Sequence, residues 1–145
     1  VAKNWEQLKL KEGKKSILEG VPKSLPAMIK ASRILDKAAS AGFDWEEPEQ
    51  VLDKVKEELS ELEKELENFN TQKTEAEFGD VLFSLINFSR FIKVDPESAL
   101  ERTNKKFIQR FRYLETEAGK KGESLKDMSL EQMDEFWNDS KKFFK

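Results

Sequence analysis

Val55, Leu59, Leu62, Leu66 and Phe69 recur in alternating steps of four and three, and only a helix brings such positions onto one narrow stripe. The segment from about Pro48 to Phe69 therefore reads as a long amphipathic helix. A second apolar set, Phe78, Val81, Leu82, Leu85 and Ile92, predicts another from Thr74 to about Ile92. The polar linker Asn70-Thr71-Gln72-Lys73 separates the two. A chain organised around such a pair folds as an all-α bundle.

Both helices carry acid at a telling spacing. Glu57-Glu58-Leu59-Ser60-Glu61 lies on the first and Glu77-Phe78-Gly79-Asp80 on the second. Carboxylates three residues apart share a helix face, so two such pairs on packed helices can converge into a cluster of hard oxygens suited to Mg²⁺. Wound at about 100° per residue, Glu58 lies roughly 60° and Glu61 roughly 120° from the centre of the apolar stripe, on the same shoulder. Glu57 lies nearly opposite and is expected to face water. On the second helix Glu77, Asp80, Ser84 and Asn87 draw a polar line through apolar surroundings. Such a line needs partners or a ligand, because unpaired buried polar groups are costly. Glu63, Lys64, Glu65 and Glu67 read instead as a solvated face with lysine pairs.

Four further helical segments complete the reading, with no convincing strand. One runs from about Asn4 to Leu18, before the break at Gly20-Val21-Pro22. The next begins near Ser24, with Pro26 suited to its first turn, and stops at Gly42. Asp95-Pro96-Glu97 reads as the cap and first turn of a helix reaching about Ala118. Gly119 and Gly122 bracket a basic loop, and Ser129-Leu130-Glu131-Gln132 is a capping-box pattern opening a last helix to about Phe143. The expectation is a bundle of about six helices in one domain spanning residues 1–145.

Composition removes whole classes of chemistry. There is no cysteine and no histidine, which excludes disulfides, thiolate metal sites, imidazole bases and zinc triads. Carboxylate, lysine, tyrosine or water is left to move a proton. The net charge of −3 argues against a general nucleic-acid binder. No apolar run approaches the roughly 20 residues that span a bilayer, so a soluble, cytoplasmic protein with no membrane partner is expected. Neither GxxxxGK[ST] nor GxGxxG occurs, so phosphates would be held by metal and cationic side chains rather than by a glycine-rich backbone. Arg102, Lys106 and Arg110 recur every four residues beside the apolar line of Leu100, Phe107, Phe111 and Leu114. By pattern alone this is a solvated flank, as are Lys30, Arg33 and Lys37. Trp45 and Trp137 are large enough to stack on a base, although core packing or a dimer interface is the stronger reading of both.

The acidic pattern, EExxE followed after the spacer Leu62 to Ala76 by ExxD, resembles the MazG-type nucleoside triphosphate pyrophosphohydrolases, an all-α family. Ser24-Leu25-Pro26-Ala27-Met28-Ile29-Lys30, Lys37-Ala38-Ala39 and Gly42-Phe43-Asp44-Trp45 look like the family's lead-in helix. Asn104-Lys105-Lys106-Phe107 with Arg110-Phe111 looks like its downstream basic helix. The likeness covers about residues 22 to 115 and is similar to the C-terminal catalytic half of two-repeat MazG proteins. The lack of an initiator methionine points to processing or to excision from a longer chain, and the two-repeat likeness is compatible with a preceding N-terminal domain.

The resemblance implies a homodimeric enzyme, dependent on Mg²⁺ with Mn²⁺ as a substitute, that cleaves nucleoside triphosphates between the α and β phosphates. Glu58, Glu61, Glu77 and Asp80 are then the expected metal ligands, with Glu61 or Glu57 the proton acceptor. Lys106 and Arg110 match positions near the triphosphate, and Lys37, Asn104 and Trp137 are further candidates for binding substrate. Two alternatives stay open on the residues alone: a narrower all-α dUTP or dCTP pyrophosphatase, and a non-catalytic acidic helical dimerisation module. The second fits poorly with Glu77 and Asp80 in an apolar helix.

Overall fold

The computed structural model describes residue 13, residues 16–68 and residues 70–145. Among them are five α-helices and no strand: α1 (Ala27–Ser40), α2 (Pro48–Asn68), α3 (Thr71–Phe91), α4 (Pro96–Lys120) and α5 (Leu130–Ser140). Short 3₁₀ turns at Ile17–Gly20 and Leu125–Asp127 complete the secondary structure. Most of the first expected helix, from Asn4, lies outside the described residues, and its final part, from Ile17, is the first of these 3₁₀ turns. The chain divides into two compact units, Val1–Glu97 and Ser98–Lys145.

In the first unit α2 and α3 form a helical hairpin, and α1 packs on α3. Asn70 does not terminate a helix from within a linker, as its polar neighbours implied. Its side chain accepts a hydrogen bond from the Lys73 amide at 3.1 Å, so it caps α3, and Thr71-Gln72-Lys73 become the first turn. The connection is therefore too short for anything but an antiparallel return. Val51, Val55, Val81 and Ile86 are buried. Leu59, Leu66, Phe78, Leu82 and Leu85 stay between 44% and 54% exposed, so much of the apolar surface expected in the core faces outward.

The chain leaves α1 through a turn that depends on glycine. Gly42 has φ +100°, its amide donates to Ala39 O and the Phe43 amide to Ala38 O, which is a Schellman stop. Only glycine takes that φ without strain. The turn delivers Phe43, Asp44 and Trp45 ahead of α2. The start of α2 is capped from within by Gln50, whose Oε1 accepts from the amides of Glu46 and Glu47 at 3.2 and 3.1 Å.

In the second unit α4 runs through Gly119 to Lys120 and stops at Gly122 (φ +69°), so Gly119 is helical rather than part of a loop. Ser129 and Gln132 form the expected capping box, with reciprocal bonds of 3.2 and 3.0 Å. Leu114, Ala118, Met128 and Ser140 are buried, and the Tyr113 and Phe143 rings meet with centroids 5.7 Å apart.

Candidate functional site

Because Glu58 sits on the inner shoulder of α2 and Glu77 and Asp80 lie one turn apart on α3, closing the hairpin brings acid onto acid. One carboxylate oxygen from each of these three residues lies within 4.8 Å of the others. The Glu58 side chain is only 13% exposed and takes a 2.9 Å salt bridge from Lys54 Nζ. That hydrogen bond, working against desolvation, holds Lys54 above the usual lysine value. Partial burial pushes the Glu77 carboxyl above its ordinary value, and repulsion from Asp80, Glu58, Glu61 and Glu65 adds to the shift.

The remaining expected acids are placed differently. Glu61, on the outer shoulder, is 45% exposed and bridges Lys64 at 3.2 Å. It stands close enough for Glu77 to feel its charge but outside the group of three. Glu57 is 62% exposed and pairs with Lys54 at 3.4 Å, as its position opposite the apolar stripe requires. Glu65 corrects the sequence reading. It is not on a simple solvated face, for its Oε2 is buried with no hydrogen-bond partner among the described residues. The wheel treats that turn of α2 as outward because it does not include the returning helix.

Beside the carboxylates opens a cavity of about 540 Å³. Glu58 and Lys54 from α2 line it, as do Asp80, Ser84 and Asn87 from α3, three of the four residues of the polar line visible in the sequence; Glu77 is not in the lining. Leu35, Phe43, Trp45 and Phe83 supply apolar wall. The residue that sequence reasoning missed is Arg90. Its guanidinium donates through Nε to Asp36 Oδ1 (3.0 Å), through Nη1 to Asp44 Oδ1 (3.3 Å) and Asn87 Oδ1 (2.7 Å), and through Nη2 to Asp44 Oδ2 (3.2 Å). Desolvation lowers its pKa, but the hydrogen bonds to Asp44 and Asp36 outweigh that and raise it. Asp44 Oδ1 also accepts from the Trp45 amide at 2.9 Å, so this one cation ties α1, the loop after it and α3 together. The only signal in the sequence was the further helical step from Asn87 to Arg90.

The five substrate candidates fall into two groups. Lys37 lies in the last turn of α1. The other four belong to the second unit. Asn104 is exposed and Lys106 half-buried on α4. Arg110 donates to Phe144 O at 2.9 Å and lies 5.7 Å from the Trp137 ring centroid, while Trp137 also packs on Phe107 with centroids 5.2 Å apart. Trp137 thus has a packing role in its own unit.

Residues 46–114, which contain the acidic hairpin, match the family profile described as the MazG nucleotide pyrophosphohydrolase domain. Over that segment the chain is similar to a MazG domain. Over 142 residues it is 43% identical to the nucleoside triphosphate pyrophosphohydrolase/pyrophosphatase MazG of Thermotoga maritima, covering 96% of this chain and 54% of that protein. Against the nucleoside triphosphate pyrophosphohydrolase of Escherichia coli K12 the identity is 36% over 148 residues, covering 98% and 56%. The uncharacterized protein YabN of Bacillus subtilis is 47% identical over 145 residues, 97% of this chain and 30% of that protein. The chain thus spans about half the length of the first two relatives. Among the described residues no helix is long and apolar enough to cross a membrane.

The raised pKa of Glu77 gives the hairpin a testable pH signature. An acid whose folded-state pKa exceeds its unfolded value contributes stability below the unfolded pKa and loses it as pH rises through the folded one. Ionised Glu77 therefore works against the fold when no cation is present. Glu77→Gln is expected to melt above the parent in EDTA at about pH 7, the difference closing as the pH falls to about 4. A variant that melts below the parent at the higher pH, or a difference that ignores pH, contradicts this reading of the cluster.

Proposed function

We propose that this chain hydrolyses nucleoside triphosphates to a nucleoside monophosphate and pyrophosphate, using Mg²⁺, or Mn²⁺ in its place, held by Glu58, Glu77 and Asp80. The convergence of three carboxylate oxygens beside a cavity large enough for a nucleotide carries the proposal. The donor set fits the ion: hard oxygens only, too much negative charge for Lys54 alone to balance, and a neighbouring buried Glu65 oxygen without a partner among the described residues. The relatives' names, nucleoside triphosphate pyrophosphohydrolase, agree with the reading. That the chain is the C-terminal catalytic half of a two-repeat protein is part of the same proposal. A soluble, cytoplasmic setting belongs to the same proposal.

When bound, the cation would neutralise phosphate oxygens and make a coordinated water more acidic. Glu61 is the fourth carboxylate of the set, and its position beside the trio suits it to complete the ligand sphere or to accept the proton of the attacking water. Glu57, turned outward onto Lys54, is poorly placed for that step. Lys54 lines the cavity and offers a positive charge next to Glu58. On the family resemblance, Lys106 and Arg110 are the phosphate contacts of α4, with Lys37, Asn104 and Trp137 as weaker substrate contacts. Water adds at one side of the α–β bridge, and pyrophosphate leaves with the bridging oxygen or the monophosphate keeps it.

Product-resolved chromatography with Mg²⁺ is expected to show monophosphate and pyrophosphate. Glu58→Gln, Glu61→Gln, Glu77→Gln and Asp80→Asn should each lose about 100-fold or more in kcat/KM with helical circular dichroism retained, and Glu57→Gln should lose little. Lys106→Ala and Arg110→Ala should each lose about ten- to a hundredfold, the value of a charge-assisted phosphate contact. Diphosphate with orthophosphate as products, or an inactive parent, would refute the assignment.

The exposed apolar residues of the hairpin support a homodimer as part of the same proposal. Leu52, Leu59 and Leu66 recur every seven residues along α2, and Phe78, Leu82 and Leu85 form a second line on α3; all are at least 37% exposed. Apolar lines of this extent are usually covered by a partner. Light scattering at micromolar concentration should give twice the chain mass of 16.9 kDa, and a monomeric mass would remove the dimer from the account.

A further inference from the structure

Resting on the proposed nucleotide substrate, the cavity has a second polar end whose chemistry is more specific than that of the first. Asp80 and Asn87 lie seven residues apart on one face of α3, about 10 Å along the helix axis. A nucleotide whose phosphates lie at the carboxylates places its base near the far end. Phe43 and Trp45 flank Asp44, which binds Arg90, and with Phe83 they supply ring surface to the cavity; base stacking on such rings is indifferent to base identity. Discrimination must come from a hydrogen-bonding group, and Asn87, half-buried, is the neutral amide in the lining.

An amide can present either its oxygen or its nitrogen, and here Arg90 decides which. A guanidinium has donors and no acceptor, so the 2.7 Å contact from Nη1 must engage the Asn87 carbonyl oxygen. That leaves the two N–H donors of Nδ2 for the cavity. Arg90 cannot swing away freely, because its Nε and Nη2 are bound to Asp36 and Asp44. The same two carboxylates neutralise its charge, which separates Arg90 from a phosphate clamp and makes it a positioning residue. We propose that Asn87, oriented by Arg90, is a specificity-determining residue that donates to a keto oxygen on the base. The site then favours bases with a carbonyl at this edge, uracil and hypoxanthine, over their amino counterparts, cytosine and adenine.

The test uses calorimetry with Mg²⁺ and the α,β-methylene analogues of UTP, CTP, ITP and ATP, which bind without turnover. The parent should bind the keto member of each pair about tenfold more tightly, the scale of one good hydrogen bond. Asn87→Asp, which offers only acceptors, should abolish or invert both ratios. Asn87→Ala, used if the aspartate variant loses helical circular dichroism, should bring both ratios to one. Equal affinities within each pair for the parent, ratios unchanged in the variant, or no binding of any analogue would each overturn the proposal. Pyrophosphate release by the parent, measured alongside with ordinary triphosphates, separates the two readings. Hydrolysis with unchanged ratios removes only the role of Asn87, whereas altered ratios without hydrolysis remove only the reaction.

Discussion

Like charge held together against its own repulsion is the constraint around which the first unit is built. Glu58 comes from one arm of a helical hairpin and Glu77 and Asp80 from the other, and their oxygens lie within 4.8 Å of one another, a repulsion that the cation proposed above would relieve. The hairpin can impose the meeting because its arms are joined by a capped, tight connection at Asn70 and held by buried Val51, Val55, Val81 and Ile86. Apolar burial of this kind contributes about 25 cal/mol per Å², so four well-buried aliphatic side chains can oppose the repulsion. Lys54 offsets part of the charge and leaves the rest.

Arg90 applies the opposite logic at the far end of the cavity. There a single cation is saturated by Asp36, Asp44 and Asn87, so that end carries directed donors rather than unbalanced charge. The cavity runs between an acidic region suited to a cation and a region suited to reading shape and hydrogen bonds. The Schellman stop at Gly42 links the two, since it turns the chain so that Asp44 reaches Arg90 while Phe43 and Trp45 line the wall.

Much of this was legible in the residues, because helical periodicity is a local property. Of the polar line Glu77, Asp80, Ser84 and Asn87, the last three line the cavity, and Glu57 faces water. Pairings across distant parts of the chain were not legible. Arg90 meets acids more than forty residues away, and nothing in a run of sequence distinguishes those acids from surface charge. Glu65 was misread for the same reason, since its neighbour α3 is absent from a wheel of α2 alone. The wheel also marks Leu59 and Leu66 as apolar without saying whether they are covered, and among the described residues both stay about half exposed. Roles for Lys106 and Arg110 rest on resemblance, because α4 belongs to the second unit.

The central claim, that Glu58, Glu77 and Asp80 form a cation site, is tested most directly by thermal melting with and without Mg²⁺, before any substrate is added. A cation that binds only the folded chain must raise Tm in proportion to the logarithm of its concentration above Kd. The parent should show that rise. Asp80→Asn, which removes one ligand and one repelling charge, should melt no lower than the parent in EDTA and respond much less to Mg²⁺. A parent with no shift at millimolar Mg²⁺, or an Asp80→Asn variant with the full shift, would contradict the site and return these acids to separate solvated helix faces.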